Sequence, residues 1–184
     1  SLLVCGVMLL ACFNLFFRLH TNKIEEWDEA RRGVAALEML ESGNFVVNTY
    51  LGAADYWSVK PPLGLWMMTA SYELLGPSRF ALRLPAALCG LLTIGLVALI
   101  GARVFSWQTG LLSAAILATT FPFVIDHSAR AGEYDAPLAL LIALVVAAMI
   151  FFRDTPLRLG VRLGMLLALV FVLKNFAVVS ALAI

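Results

Sequence analysis

Long uncharged apolar runs alternate with short charged segments along this 184-residue chain. The runs cover 2–17, 85–102, 104–125 and 136–152, and a fifth, 163–184, is interrupted by Lys174 and Asn175. A helix that crosses a bilayer needs about 20 mostly apolar residues, and about 17 is enough. The pattern therefore predicts five spans, near 1–18, 84–103, 104–126, 136–152 and 163–184, with a loop at 19–83. Gly101 to Gly110 is expected to hold the tight turn between the second and third. No basic segment precedes the first run and no small-residue cleavage signal follows it, so it reads as an anchor and not a signal peptide. The chain opens and closes within apolar runs, which predicts an N-terminal piece of a larger protein.

The 19–83 segment carries elements of its own, since a structureless loop of that length is uncommon. Ala30, Val34, Leu37 and Leu40 recur at helical spacing and predict a helix over 28–42, stopped at Gly43. Residues 45–51 are β-branched and aromatic enough for a short extended piece. Lys60-Pro61-Pro62 opens a second helical run to Leu75, ended by Gly76. Its apolar stretch suits a helix lying in the membrane interface, and Tyr56, Trp57, Trp66 and Tyr72 fit an aromatic belt.

Composition sharpens the picture. Hydrophobic residues make up 62% and charged residues 14% of the chain, and mean hydropathy is +0.93. These values exclude a disordered chain, an ordinary soluble domain and a nucleic-acid-binding arm. Net charge is only +1, so placement matters more than balance. Arg103 and the arginines of 153–162 mark the cytoplasmic side by the positive-inside rule. Residues 20–81, with eight acidic and five basic side chains, then lie outside together with 126–135. Cys5, Cys12 and Cys89 sit in apolar runs and form no framework.

Two acidic clusters fall on that outer side: Glu25-Glu26-Trp27-Asp28-Glu29, and the 126–135 segment with Glu133 and Asp135. Arg31, Lys60 and Arg130 accompany them. A carboxylate takes a proton from a hydroxyl, and guanidinium and ammonium groups hold phosphate, so the set suggests chemistry on a phosphate-linked lipid. Each residue also has a plainer reading. Asp28 is placed to cap the 28–42 helix, Arg31 and Arg32 to form a solvated face, and Lys60 to snorkel. Glu133-Tyr134-Asp135 is placed to cap the fourth span, and His127 is a metal-ligand candidate or an interfacial side chain. Lys174 is either an intramembrane functional residue or the early end of the fifth span.

Five motifs in order extend the reading: Trp27-Asp28-Glu29-Ala30-Arg31, Met39-Leu40-Glu41-Ser42-Gly43-Asn44, Tyr56-Trp57-Ser58-Val59-Lys60-Pro61-Pro62-Leu63, Arg83-Leu84-Pro85-Ala86-Ala87-Leu88 and Ala129-Arg130-Ala131-Gly132-Glu133-Tyr134-Asp135-Ala136. Their order resembles the N-terminal part of a C-type, lipid-donor glycosyltransferase, in the branch of the protein O-mannosyltransferases and bacterial aminoarabinose transferases. The resemblance implies an all-α polytopic membrane fold in a bacterial plasma membrane, with an extracytoplasmic site. It implies inverting sugar transfer from a polyprenyl-phosphate donor to a glycan, lipid or protein acceptor, among membrane lipids and without nucleic acid. It implies Asp28 as base, Arg31, Lys60 and Arg130 at the donor phosphate, and Asp135 lining the site. Glu29 and Glu133 join the expected substrate-binding residues.

Two positions depart from that pattern. Aminoarabinose transferases carry a metal-ligating glutamate where this chain has Val59, so no cofactor is expected to be required and a divalent metal is doubtful. The expected Thr-Lys-Gly of the fifth span reads Leu173-Lys174-Asn175. Two other readings compete: a metal-dependent oligosaccharyl or polymer transferase using Glu133 and Asp135, and a transporter or flippase of lipid-linked sugars. A transporter calls for charges near the midplane, whereas here they gather at the outer side.

Overall fold

The computed structural model describes residues 2–56, 58, 60–152, 155–175 and 177–182, with the side chains of 178 and 180 left aside. Trp57 of the expected aromatic belt, the Val59 departure and Arg153 of the orienting loop lie outside the described residues. The chain is mostly helical: α1 (Leu2–Phe16), α2 (Asp28–Ser42), α3 (Leu63–Leu75), α4 (Arg79–Val104), α5 (Trp107–Thr119), α6 (Phe121–Val124), α7 (Asp135–Phe151), α8 (Pro156–Leu173) and α9 (Ala177–Leu182). A small hairpin, β1 (Thr49–Tyr50) and β2 (Ala53–Ala54), follows α2. Leu51 and Gly52 both have positive φ, the geometry of a two-residue hairpin turn.

α4 is the central helix, with α1, α3, α5 and α7 packed around it. α4 and α8 are long and apolar enough to cross a membrane, while α1 and α7 are apolar but shorter. Large apolar side chains such as Leu9, Leu92, Leu99, Leu112, Ile116 and Met165 point outward. Exposed apolar surface on that scale fits hydrocarbon, not water, as the solvent.

The α4–α5 hairpin turns at Phe105-Ser106, and the two glycines serve close approach on either side of it. A Cβ on Gly101 would lie 2.7 Å from the Gly110 Cα, and one on Gly110 would lie 2.3 Å from the Ala98 carbonyl oxygen.

Two prolines shape the helices in the same way. Proline has no N–H, so the carbonyl four residues earlier loses its helical donor. Pro85 lies inside α4, and the orphaned carbonyl of Ala81 accepts from the Ser71 hydroxyl of α3 at 2.6 Å. Pro122 does the same to Ala118, whose carbonyl accepts from the Asn14 amide of α1 at 3.0 Å. There the helix breaks: the expected third span is α5 and a short α6, separated at Thr120. The fifth expected span is likewise divided, with α8 ending at Leu173 and α9 starting at Ala177. Lys174 thus stands at the C-terminal end of α8.

α2 runs over the expected residues but buries a different face. Ala30, Val34, Leu37 and Leu40 are half-buried, whereas Glu29, Arg32, Ala35, Ala36 and Met39 are buried. Charged partners decide this. Glu29 meets Arg83 and Arg32 meets Glu133, so the face that carries the charges turns inward.

Candidate functional site

The charged residues converge where the first turn of α2 meets the segment before α3 and the loop before α7. Trp27, with φ of 77° and no side-chain cap bond, holds the N-cap position of α2, so Asp28 is the first helical residue and not the cap. Its carboxylate is engaged in ion pairs. Asp28 Oδ2 accepts from Arg32 Nη2 at 2.7 Å, one helical turn away, and from Lys60 Nζ at 3.4 Å. Burial works to raise the Asp28 pKa, but Arg32 and Lys60 outweigh it and hold the carboxyl below its usual range. Asp28 is ionised at neutral pH, and its side chain is 49% exposed.

Arg32 is no solvated residue. Its guanidinium pairs with Glu133, donates to the Gly132 carbonyl at 3.1 Å, and lies over the Tyr134 ring at 4.5 Å from the centroid. Burial pushes the Glu133 pKa up, and the attraction of Arg32 only partly offsets this. Glu133 Oε1 is buried and has no hydrogen-bond partner among the described residues. Two neighbouring carboxylates are thus driven in opposite directions by their surroundings.

Two cavities share the wall made by Asp28, Arg32, Lys60 and Tyr134. One, of about 120 Å³, continues to Trp27, Arg31, Asp55 and Ser58. The other, of about 200 Å³, continues to His127, Glu133, Asp135 and Lys174. Asp28 and Asp135 therefore line one cavity, although they lie far apart in sequence. Asp135 opens α7, where the helix dipole favours an anion, and accepts from Lys174 Nζ at 3.0 Å. Arg31 is held by Asp55, with its Nε donating at 2.9 Å, and its guanidinium lies 4.6 Å from the Tyr50 ring centroid. His127 Nδ1 pairs with Glu25 at 2.9 Å.

Two expected binding residues sit elsewhere. The Glu29 carboxylate is fully buried and accepts from Arg83 Nε (2.7 Å) and Nη2 (2.9 Å) and from the amides of Gly132 (2.7 Å) and Glu25 (2.7 Å). Its oxygens are occupied in tying α2 to α4 and to the 126–134 loop. Arg130 donates to the carbonyls of Asn14 and Phe17, the latter at 2.8 Å, and so satisfies the free C-terminal carbonyls of α1. It lines a separate cavity with Asn14, Asn22 and Phe121. Helix-end chemistry and burial draw these two side chains away from the cleft.

Arg83, Asp55 and Tyr134 were not among the expected site residues, although Arg83 and Tyr134 stand within the five motifs. Arg83 opens an apolar span and stands out as a charge beside one, a signal for a buried partner. Asp55 and Tyr134 gave no comparable signal.

Residues 59–184 match the profile of the family described as dolichyl-phosphate-mannose-protein mannosyltransferase. The chain belongs to this family. Among its relatives, the undecaprenyl phosphate-alpha-4-amino-4-deoxy-L-arabinose arabinosyl transferase of Pseudomonas savastanoi pv. phaseolicola is 30% identical over 67% of this chain and 23% of its own length. A Pseudomonas fluorescens protein of the same name, numbered 1, is 27% identical over 92% of this chain and 32% of its own. The chain thus spans about a quarter to a third of the length of these curated relatives. The fold is similar to that of ArnT from Cupriavidus metallidurans in the apo state, with TM-score 0.72 and 23% identity. It is equally similar to ArnT from Cupriavidus metallidurans bound to undecaprenyl phosphate, with TM-score 0.73 and 24% identity. Each match covers 97% of this chain and 33% of that one.

Proposed function

We propose that this chain forms the donor-phosphate part of the active site of an inverting glycosyltransferase. The enzyme moves a sugar from a polyprenyl-phosphate donor to an acceptor hydroxyl of a glycan, lipid or protein, on the outer face of a bacterial plasma membrane. The observation that carries this reading is the ionised Asp28 carboxylate beside the Lys60 ammonium, on the wall of a cavity that Asp135 also lines. The apolar helices hold it there, with Arg103 and the first turns of α8, which carry Arg158 and Arg162, on the cytoplasmic side.

The chemistry follows from the charges. Asp28 accepts the proton of the acceptor hydroxyl, whose oxygen attacks the anomeric carbon from the face opposite the phosphate. The carbon–oxygen bond to phosphate breaks through an oxocarbenium-like state, and its electron pair leaves with the polyprenyl phosphate. The leaving group already carries negative charge well, so Lys60 stabilises it without donating a proton. Arg31 adds positive potential from the adjoining cavity while Asp55 holds it, and Lys174 orients Asp135. The anomeric carbon has to sit between base and phosphate. Donor entry therefore parts Lys60 from Asp28, a contact whose 3.4 Å length marks it as weak and easily exchanged.

The similarity to undecaprenyl-phosphate arabinosyl transferases and to an ArnT bound to undecaprenyl phosphate supports a lipid-phosphate donor. The test is sugar transfer from a radiolabelled undecaprenyl-phosphate sugar by the full-length protein, with donor titration. Lys60→Ala is expected to raise the donor KM on the order of tenfold or more, in line with loss of a hydrogen bond to a charged group. An unchanged donor KM in Lys60→Ala contradicts the phosphate assignment.

A further inference from the structure

Tyr134 is 4% exposed and meets both cavities, yet the proposed reaction gives it no step. Its ring lies beneath two cations, with the Arg32 Cζ 4.5 Å and the Lys60 Nζ 5.8 Å from the centroid. An aromatic face attracts a cation at that range, and the attraction strengthens when water is excluded. Burial also pushes the phenol pKa up, so the ring bears no charge at neutral pH.

The place of the ring is set by an absence. A Cβ on Gly64 would lie 2.1 Å from Tyr134 Cε1 and 2.5 Å from Cδ1, closer than atoms can approach. Gly64 follows Lys60-Pro61-Pro62-Leu63, and the two prolines fix the backbone angle φ between the lysine and the glycine. One short segment thus carries the cation at one end and the notch for its aromatic support at the other.

We propose that Tyr134 is a positioning residue that holds the Lys60 ammonium toward the donor phosphate, and that Gly64 exists to admit its ring. This rests on the lipid-phosphate reading above. When the donor parts Lys60 from Asp28, the ammonium loses an anion but keeps the ring, so it is not released to wander in the cleft. The bland alternative, a tyrosine that merely fills a core, predicts that apolar side chains of similar volume serve as well.

The test measures the dissociation constant of undecaprenyl phosphate for the full-length protein in detergent micelles, and donor KM and kcat in the transfer assay. Tyr134→Met keeps much of the volume and removes the aromatic face. It is expected to weaken binding about threefold to thirtyfold, the range of a cation–π contact, and to raise donor KM more than it lowers kcat. Tyr134→Phe keeps the ring and is expected to restore most of the loss. Gly64→Ala is expected to weaken binding as well, but to add less than about twofold in the Tyr134→Met background, because residues that act through one contact are not additive. Wild-type affinity in Tyr134→Met, or an equal Gly64→Ala penalty in both backgrounds, overturns the proposal. If Tyr134→Met does not fold, Gly64→Ala alone decides, with weakened binding for the proposal and unchanged binding against it. Failure of the wild-type protein to bind undecaprenyl phosphate overturns the lipid-phosphate reading, and this inference with it.

Discussion

Glu29 offers a sharp separation between scaffold and chemistry, because it stands next to Asp28 but is fully buried where Asp28 is half-exposed. Its carboxylate is completely buried and receives four N–H donors at 2.7–2.9 Å. Burial works to raise its pKa, yet the Arg83 hydrogen bonds and the amides of Glu25 and Gly132 hold it below the usual range. Glu29→Gln keeps the shape and removes the charge, which leaves the 2%-exposed Arg83 guanidinium buried without its anion. Breaking a buried pair in this way costs about 3–5 kcal/mol. Asp28→Asn, at a half-exposed site, is expected to change stability by less than about 1 kcal/mol. Replacing both partners, Glu29→Leu with Arg83→Met, removes the unpaired charge and is expected to lose clearly less than the sum of the single changes. Denaturant titration of the full-length protein in detergent micelles, followed by helical circular dichroism, measures Glu29→Gln, Asp28→Asn, the single changes Glu29→Leu and Arg83→Met, and their double variant. Glu29→Gln within about 0.5 kcal/mol of wild type, or a double variant as unstable as the sum, would refute the idea that this pair ties the loop to the bundle.

Other outcomes follow from single contacts. Ser71→Ala leaves the Ala81 carbonyl without a donor and is expected to destabilise by about 1–3 kcal/mol. The same change in a Pro85→Ala background, where the helix supplies its own N–H, is expected to be nearly neutral, and unfolding titrations compare the two. In a protein lacking its native cysteines, an impermeant thiol reagent applied from outside is expected to label a cysteine at exposed Ala53 and not one at exposed Arg158. The reverse pattern inverts the topology. Asp28 has a folded-state pKa below its ordinary value of 3.8, so the stability it adds is present above that value and is lost as pH falls through the folded one. Transfer activity is accordingly expected to show no ionisation of Asp28 between pH 5 and 8 on the order-of-magnitude scale of such profiles.

Much of the helical framework was legible because apolar runs and helix stops are local signals. α2, α3 and α7 begin and end within a few residues of where the sequence puts them. The break at Thr120 was harder to place, since an uncharged run looks continuous until the missing N–H of Pro122 is considered, whereas Lys174 and Asn175 interrupt the fifth run in the sequence itself. The second strand was missed because Ala53 and Ala54 carry no strand preference, and only their pairing across Leu51-Gly52 makes the hairpin. Asp28, Lys60 and Asp135, expected from motif and charge, do line one cavity. Glu29 and Arg130 were drawn in with them, because sequence gives a side chain's charge but not its partner. Arg83 and the carbonyls at the end of α1 are what claim those two. Tyr134 stood in one of the five motifs without a role of its own, because its surroundings, two cations and a glycine notch, are brought to it by α2 and the 60–64 segment.

The central claim is that Asp28 is the base of a sugar transfer, and Asp28→Asn tests it most directly. Asparagine keeps the size of the side chain and removes the charge that accepts a proton. The measurement is single-turnover transfer from a radiolabelled undecaprenyl-phosphate sugar by the full-length variant, with donor binding measured in parallel. The account predicts a rate lower by about 10²–10⁴-fold, with donor bound at close to wild-type affinity and the fold intact. Transfer at a near-wild-type rate would contradict it, and would leave Asp28 as a partner of Arg32 and Lys60 and nothing more.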